Sequence, residues 1–326
     1  AYTLESPEVT WHWGRAYIAY TGTDGYTRTG VYGFDQYGNK YWDNYHFNNN
    51  EWLKGPSQWD KNPAMVSWNG ELYQAVRAEG NNDNIMIRHG VTDSNNYGKP
   101  NFGNYTNLQV QTEKDFGMTV HNGQLCIAYQ PINTNDITWG CSWDGTTRSN
   151  WQTMSNLPGG GTDQGVEIES AHGDIYFSYS GRNDDKVYVY DTWNGWRHLM
   201  NGYTESLPAL SKHGDNSTGN EKLCLLHRGT DYNGQMWKSC LYRYGQNYDQ
   251  WNWHPWQRQQ GETNDSPAMT YDDGILAQLH RGLDNKVYLR ILRKPDPAGR
   301  GYMSHFKWNQ DLNLTSNEVI EFAIFL

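Results

Sequence analysis

The sequence predicts an all-β fold, a six-bladed β-propeller of four-stranded antiparallel blades. One segment recurs about every 50 residues along the whole chain, which is the signature of a repeat architecture. Apolar residues alternate along short runs, and no run shows the three- and four-residue apolar spacing of a helix. Aromatic residues make up 15% of the chain and can fill the core between sheets where aliphatic residues are scarce.

The recurring segment is a short apolar strand that ends in polar residues. Its six copies begin at Ala16, Leu72, Leu125, Ile175, Leu223 and Leu276. We therefore predict a single domain whose repeats cover approximately residues 1–59, 60–111, 112–161, 162–203, 204–261 and 262–326.

Each repeat is interpreted as four strands in succession. The first strand follows a polar start, as in Ser6–Thr10 and Ser266–Thr270, whereas the segments that begin at Phe116 and Gly165 depart from this pattern. A turn such as the one at Asn69-Gly70 predicts a tight hairpin into the recurring second strand. A loop rich in Gly, Asn and Asp leads to a third strand, and a Trp- or Tyr-rich outer strand completes the unit.

A single four-stranded blade cannot bury both of its faces, so neighbouring blades must stack around a ring. Six repeats then give six blades. The apolar segment Asn317–Leu326 follows the sixth outer strand in the sequence. We expect this segment to pack at the seam where the last blade meets the first.

The four cysteines occupy matching columns of the third and fifth repeats. Cys126 and Cys141, and likewise Cys224 and Cys240, are separated by about 15 residues, with a predicted hairpin turn between them. Each pair should face across its hairpin, which predicts two disulfides and an extracellular or secreted protein. The alternative is two pairs of buried free thiols in a cytoplasmic protein.

Composition excludes some classes of partner. The formal net charge of −10 disfavours binding to a nucleic-acid backbone, which requires clusters of Lys and Arg. The chain has no run of 18 apolar residues, so insertion into a membrane is not expected.

Polar residues at the end of the second strand are the candidate ligand contacts. The last two repeats share the string His-Arg-Gly-x-Asp, and the second repeat keeps the arginine. An arginine at a strand end can donate two parallel hydrogen bonds to vicinal hydroxyls or a carboxylate, and a nearby indole can lie against a sugar ring. The predicted ligand-binding residues are Arg77, His227, Arg228, Asp231, Trp237, His280, Arg281 and Asp284.

The alternative for these side chains is structural, because a recurring Arg or His can serve to tie one blade to the next. Most tryptophans are expected to pack between blades. The cluster of Trp251, Trp253 and Trp256 is the exception, since three indoles so close in sequence cannot all lie on one face of a strand, and one could be an exposed stacking platform.

Catalysis is a second hypothesis. Propeller glycosidases place paired carboxylates near the central channel, and a pair about 5–9 Å apart suits glycoside hydrolysis. No sialidase-type Asp box and no hydrolase motif is found. The acidic residues near the starts of the inner strands are Glu5, Glu8, Asp115, Asp163, Glu167, Glu205 and Asp265.

No cofactor is expected. Calcium is conceivable at Asn81–Asn84 or at Asp184-Asp185, although neither segment has the full set of spaced oxygen ligands of an EF-hand loop.

The whole chain resembles the β-propeller lectins in repeat number, in Trp-rich outer strands such as Trp193–Trp196 and in strand-end arginines. It is similar to the fungal fucose-binding lectins and to the tectonin-like and bacterial propeller lectins. In the fucose-binding family an Arg, an acid and an aromatic residue from adjacent blades form each pocket. The resemblance implies that Arg77, Arg228 and Arg281 supply the arginine, while the acid stays unassigned.

The sequence thus favours a non-catalytic lectin with shallow, repeated sites for glycans or glycoproteins. A glycoside hydrolase that uses the channel carboxylates and a non-catalytic propeller that binds proteins are the alternatives.

Overall fold

The structure is a computed structural model of the 326-residue chain. It describes residues 6–23, 25–34, 40–42, 59–78, 83–93, 99–146, 150–192, 195–213, 222–230, 234–244, 250–272, 275–293 and 319–323.

The described residues form a six-bladed propeller, as predicted. They contain 26 strands in all, and within each blade the strands follow one another in sequence order from the axis outwards. Blade 1 contains β1 (Glu8–His12), β2 (Arg15–Thr21), β3 (Thr27–Phe34) and β4 (Lys40–Trp42). Blade 2 contains β5 (Trp59–Trp68), β6 (Glu71–Ala78), β7 (Asn84–Asp93) and an outer edge divided into β8 (Lys99–Phe102) and β9 (Thr106–Gln111). Blade 3 contains β10 (Asp115–His121), β11 (Gln124–Tyr129), β12 (Ile137–Ser142) and β13 (Gln152–Met154).

The second half of the ring repeats this order after a short 3₁₀ turn, Pro158–Gly160. Blade 4 contains β14 (Gly165–Ala171), β15 (Asp174–Ser180), β16 (Lys186–Asp191) and β17 (Gly195–Tyr203). Blade 5 contains β18 (Ala209–His213), β19 (Lys222–Arg228), β20 (Gln235–Tyr244), β21 (Gln250–Trp253) and β22 (Gln257–Glu262). Blade 6 contains β23 (Ala268–Asp272), β24 (Ile275–Arg281), β25 (Val287–Arg293) and β26 (Val319–Ala323).

The first hairpin of a blade is closed by a two-residue turn in which both residues have positive φ. Asn69 and Gly70 have φ values of 51° and 79°, and Asn122 and Gly123 have 49° and 75°. Asparagine and glycine tolerate this left-handed conformation, which matches the twist of the two strands. The Asn-Gly pairs therefore predicted these hairpins correctly.

The inner strands close the ring around the axis. Each inner strand contacts the inner strand of the next blade, and β23 of blade 6 contacts β1 of blade 1. A buried apolar cluster joins every pair of neighbouring blades. At the seam between blades 6 and 1 this cluster includes Ile18, Tyr20, Leu279 and Leu289. Such burial supplies the main free energy that keeps the blades together.

Blades 3 and 4 are joined more tightly than the others, because their inner strands hydrogen-bond to each other in parallel. Asp115 pairs with Gly165, and Phe116 pairs with Val166. A Cβ atom at Gly165 would lie 2.1 Å from the carbonyl oxygen of Asp115, so only glycine fits there. The position of Phe116 and Val166 is held in the other four blades by proline, which has no N–H to donate, as Pro7, Pro63, Pro208 and Pro267.

Each linker that enters blades 3 to 6 contains a fully buried threonine. Its hydroxyl accepts a hydrogen bond from the N–H two residues later and donates to a carbonyl at the end of the linker. This local turn satisfies backbone groups that would otherwise be buried without partners. The four residues are Thr112, Thr162, Thr204 and Thr263.

The expectation that the C-terminal segment packs at the seam is wrong for Val319–Ala323. This strand, β26, pairs antiparallel with β25 and forms the outer edge of blade 6. The outer edge of β25 offers a row of unpaired backbone groups, which an apolar strand can cover. In the described part of the chain, the seam is therefore closed by side-chain packing without exchange of a strand.

Both predicted disulfides are confirmed. Cys126 and Cys141 face each other across β11 and β12, and Cys224 and Cys240 face each other across β19 and β20. The Cα atoms of each bonded pair are 4.0 Å apart. In blade 6 the same column holds the pair Ala277 and Ile291.

We expect removal of one disulfide to destabilise the propeller. The chain-entropy account assigns about 3 kcal/mol to a bridge that closes a loop of about 15 residues. The variant with Cys126→Ala and Cys141→Ile copies the apolar pair of blade 6, so it loses the crosslink but keeps apolar packing in the column. It should melt several degrees below the wild type in a thermal unfolding scan.

A variant with Cys126→Ser and Cys141→Ser serves as the matched comparison and should melt lower still, because two buried hydroxyls replace the bridge. Alkylation of the denatured wild type should modify no cysteine before reduction and four after it. Alkylation without reductant would contradict the two disulfides.

Candidate functional site

Two glutamates meet on the propeller axis. Glu8 of blade 1 and Glu167 of blade 4 occupy equivalent register positions on opposite sides of the ring. The carboxylate of Glu167 lies over Gly117, where a Cβ atom would be 2.9 Å from Oε1. The other blades place small residues at this level, namely Ala64, Ala209 and Ala268.

The axial carboxyl groups lie in an environment that disfavours their charge. Burial, and secondarily the charge of Glu169, raises the pKa of Glu8 to about 8. Burial together with Glu8, Glu169 and Asp115 raises the pKa of Glu167 well above its usual value. Burial also raises the pKa of Glu169, although Thr119 donates a hydrogen bond to its Oε1 at 2.9 Å.

The space beside these carboxyl groups is too small for a sugar. The cavity that Glu8, Asp115 and Glu167 line has a volume of about 30 Å³, enough for about one water molecule. A glycoside hydrolase must bring a pyranose ring between its two carboxyl groups. The axial glutamates are therefore not placed to act on a glycan in this structure.

The remaining acids of the catalytic hypothesis are dispersed. Asp265 Oδ2 lies 3.6 Å from a guanidinium nitrogen of Arg281, so the predicted ligand-binding residue Arg281 is paired with this acid. Asp163 lines an open pocket between blades 3 and 4. Glu205 is exposed in the linker that enters blade 5, and Glu5 lies outside the described residues.

Two of the three strand-end arginines that could bind ligand are held within or between blades. Arg77 is 5% exposed, and its Nε lies 3.7 Å from Oδ1 of Asp83 in the same hairpin. Arg228 donates from Nη1 to the carbonyl oxygen of Asn264, 3.3 Å away in the linker that enters blade 6. The contact of Arg77 stays within its own hairpin, whereas Arg228 and Arg281 contact the linker that enters blade 6. Ligand contact stays a prediction for all three side chains.

The predicted histidines are buried against aromatic rings. His227 packs edge-on against Trp256 with ring centroids 4.4 Å apart, and His280 stacks on Tyr288 at 5.3 Å. Trp237 stands opposite His227 across β19 and β20 and is partly buried. Burial, and secondarily Arg290, lowers the pKa of His280 to about 4, so this imidazole is neutral at pH 7.

The carboxylate of Asp284 closes the second hairpin of blade 6. It accepts hydrogen bonds from the backbone N–H of Lys286 (3.1 Å) and the hydroxyl of Tyr288 (3.0 Å), and it pairs with Lys286 Nζ at 2.7 Å. Asp184 does the same in blade 4. The other acid of the repeated string, Asp231, lies outside the described residues.

This use of Asp184 bears on the calcium hypothesis, because its carboxylate already has three protein partners. Asn81 and Asn82 lie outside the described residues. In the part of the chain that the structure describes, no group of three or more His, Cys, Asp or Glu side chains could hold a metal ion.

An open pocket lies between blades 3 and 4, at the end where second strands lead into third strands. Its volume is about 470 Å³, within the range of small-ligand sites. The loop after β11 forms one wall, and linker residues and Arg182 form the others. The lining residues that carry charge are Glu113, Lys114, Asp163 and Arg182.

Gln130 gives this pocket a buried polar group. The side chain is 5% exposed and lines the pocket. Its Nε2 donates to the carbonyl oxygen of Thr134 at 2.6 Å, whereas its Oε1 is buried and accepts no hydrogen bond from any described residue. Arg182 donates from Nη1 to Oδ1 of Asn135 (3.0 Å) and so holds the blade-3 loop against blade 4.

Sequence reasoning missed this pocket because it searched for repetition. Gln130 stands in the column that holds Arg77, Arg228 and Arg281, and the deviation from arginine was the available signal. In blade 4 the same column holds Ser180, whose hydroxyl donates to the carbonyl oxygen of Thr204.

The chain was compared with known proteins. No family profile and no curated protein sequence matches it. Among solved structures, the Aleuria aurantia lectin matches with a TM-score of 0.62 and 10% identity, over 89% of this chain and 92% of the lectin. AofleA from Arthrobotrys oligospora matches with a TM-score of 0.62 and 11% identity, over 99% of this chain and 88% of that one. Trypanosoma rangeli sialidase matches with a TM-score of 0.60 and 13% identity, over 89% of this chain and 54% of the enzyme.

The fold is that of the six-bladed fungal lectins. At these identities the likeness concerns the fold alone, and the sialidase shows that proteins with a similar fold also include enzymes. Within the described residues, the structure has no helix long and apolar enough to cross a membrane.

The axial carboxyl groups predict that stability falls as pH rises above neutrality. A carboxyl group whose pKa is higher in the folded state stabilises the fold below its unfolded pKa of about 4.3, and this contribution is lost as pH rises to the folded pKa. Burial lowers the pKa of His12 and of His280 to about 4. These histidines make stability rise with pH, but only below about pH 6.5, where the unfolded imidazoles are protonated.

The interval from pH 7.0 to 8.5 therefore isolates the carboxyl groups. With a folded pKa of about 8 for Glu8, the free energy of unfolding falls by about 1 kcal/mol over this interval, which lowers the melting temperature by about 2 °C. Glu8→Gln and Glu167→Gln should each reduce this slope, whereas exposed Glu205→Gln should leave it unchanged. Equal slopes in all four proteins would contradict the assignment.

Proposed function

We propose that the protein is a carbohydrate-binding propeller and that the pocket between blades 3 and 4 is one of its glycan sites. The buried Oε1 of Gln130 carries this proposal. A buried acceptor without a partner costs about 1–3 kcal/mol, and a hydroxyl or amide N–H of a ligand would satisfy it. The Gln130 side chain that carries this acceptor lines an open pocket of about 470 Å³.

The charges of the pocket favour a neutral ligand. Lys114 and Arg182 are balanced by Glu113 and Asp163, so neither an anion nor a cation gains from the net charge of the lining. Donors and acceptors are both present, as a ligand rich in hydroxyl groups requires. Pro131 and Ile132 offer a small apolar surface for the carbon face of a sugar ring.

Two further observations support the proposal. The fold is shared with the Aleuria aurantia lectin, whose solved complexes contain a fucosylated disaccharide and a methyl fucoside. The two disulfides fit an extracellular protein, because such bonds persist in oxidising compartments. We therefore propose that the protein is secreted and that its partners are glycans or glycoproteins.

The strand-end arginines belong to the same proposal as secondary sites. Arg228 and Arg281 are partly exposed, whereas Arg77 is buried, so the first two are better placed to reach a ligand. Their present contacts to Asn264 and Asp265 would have to be kept or exchanged on binding. Working sites would then differ between blades.

The test is a glycan array followed by titration calorimetry with the best neutral glycan. Gln130→Leu removes the buried acceptor and should weaken binding about tenfold, which corresponds to the loss of about 1.4 kcal/mol. Asp163→Asn keeps the shape of the pocket but leaves one positive charge in excess, and should shift the preference towards acidic glycans.

Gln152→Leu is the matched control, because it makes the same exchange on the exposed outer strand of the same blade and should bind like the wild type. Arg228→Gln and Arg281→Gln test the secondary sites. If Gln130→Leu and the wild type gave equal affinities, the pocket would not be the site. If the array gave no hit, glycan binding itself would be excluded.

A further inference from the structure

The first hairpin of blade 1 has an unusual turn. Its two turn residues are Trp13 and Gly14, with φ values of 52° and 70°. The first of these positions is held in other blades by Asn69, Asn122 and His172, residues that tolerate positive φ. For a residue as bulky as tryptophan the left-handed conformation is an outlier that costs free energy. A property other than turn formation must therefore favour Trp13 at this position.

The indole of Trp13 is displayed on the surface rather than packed. The side chain is 70% exposed. Its ring lies over the equivalent turn of the next blade, where a Cβ atom at Gly70 would be 3.8 Å from Cζ2, and its Nε1 points to the Gly70 carbonyl oxygen at 3.4 Å. The indole N–H is thus directed at the protein, and a face of the ring is left to the solvent.

A second exposed indole lies over the turn of blade 3. Trp143 is 69% exposed, and a Cβ atom at Gly123 would lie 3.3 Å from its Cζ3. Trp68 is buried between these turns and donates from Nε1 to the carbonyl oxygen of Gly123 at 2.9 Å. The two exposed rings therefore cover equivalent turns of adjacent blades.

The surroundings of these rings identify the kind of ligand. The turn residues next to Trp13 and Trp143 are Asn69, Asn122 and exposed glycines. Isolated indoles among polar groups do not form the large contiguous apolar patch that marks many protein-binding surfaces. A pyranose ring has one apolar face and a rim of hydroxyl groups. The negative face of an indole attracts the weakly positive C–H groups of such a ring.

We propose that Trp13 and Trp143 form an aromatic platform for an oligosaccharide on the hairpin face of the propeller, at the opposite end of β11 from the pocket of Gln130. This inference rests on the proposed carbohydrate function but concerns a separate site. Two stacking positions one blade apart suit a chain of sugar rings better than a monosaccharide, because the second ring binds at the effective concentration set by the first.

The decisive variant is Trp13→Asn, which installs the residue that blades 2 and 3 carry at this turn. Because it relieves the left-handed strain, its melting temperature should be at or above that of the wild type. Its affinity for oligosaccharides should fall about tenfold, because one of the two ring surfaces of the platform is lost. Trp13→Tyr keeps an aromatic face and should retain part of the affinity. Trp143→Ala tests the second position.

The probes are a panel of neutral monosaccharides and the corresponding linear oligosaccharides, titrated into the wild type, Trp13→Asn and Gln130→Leu. The indole N–H resonance of Trp13, assigned by its loss in Trp13→Asn, reports contact directly. Loss of oligosaccharide binding in a stable Trp13→Asn, with that binding kept in Gln130→Leu, supports the platform.

Unchanged oligosaccharide affinity in Trp13→Asn, or an indole resonance that no saccharide shifts, would overturn it. A platform that fails while Gln130→Leu still weakens monosaccharide binding leaves the proposed function standing. If monosaccharide affinity is unchanged in Gln130→Leu while oligosaccharide affinity falls in Trp13→Asn, the pocket fails and the platform stands. Absence of saccharide binding by the wild type would exclude both.

Discussion

A four-stranded blade has two faces and cannot bury either without a neighbour, and this constraint governs the rest of the molecule. Each pair of neighbouring blades shares a buried apolar cluster, including the cluster at the seam that joins Ile18 and Tyr20 to Leu279 and Leu289. The axis is then set by the inner strands, where small residues in four blades leave room for only two glutamates. Packing between blades thus determines both the closure of the ring and the narrowness of its channel.

The sequence was sufficient for the fold because the signals that specify it are local and repeated. Hairpin turns such as Asn122-Gly123, apolar alternation and matched cysteine columns each depend on residues close in the chain. The parallel pairing of Asp115 with Gly165 was not predicted, since it depends on the loss of proline in two repeats that meet only in the ring. The place of β26 was missed for a related reason, because an apolar strand can pair with any open edge.

Sites were harder to predict than strands. The repeated His-Arg-Gly-x-Asp string marks positions where the described side chains contact loops and linkers, so its repetition indicated a structural role that these two blades share. The two candidate sites lie instead where a blade deviates from the others. Gln130 replaces an arginine and leaves a buried acceptor beside a pocket. Trp13 replaces an asparagine or histidine in a left-handed turn and exposes its ring. Whether a deviation opens a pocket depends on the facing blade, which one repeat cannot show.

The seam has a consequence for how such rings can change in evolution. In the described chain every blade is one uninterrupted segment, from its inner strand to its outer edge, and no strand is borrowed across the seam. Duplication or deletion of a single repeat would therefore add or remove a complete blade and leave every other blade intact. The remaining requirement is geometric, since the angle between neighbouring blades must change to close a ring with a different number of blades. Propellers closed by side-chain packing alone are in this sense free to vary their blade count one unit at a time.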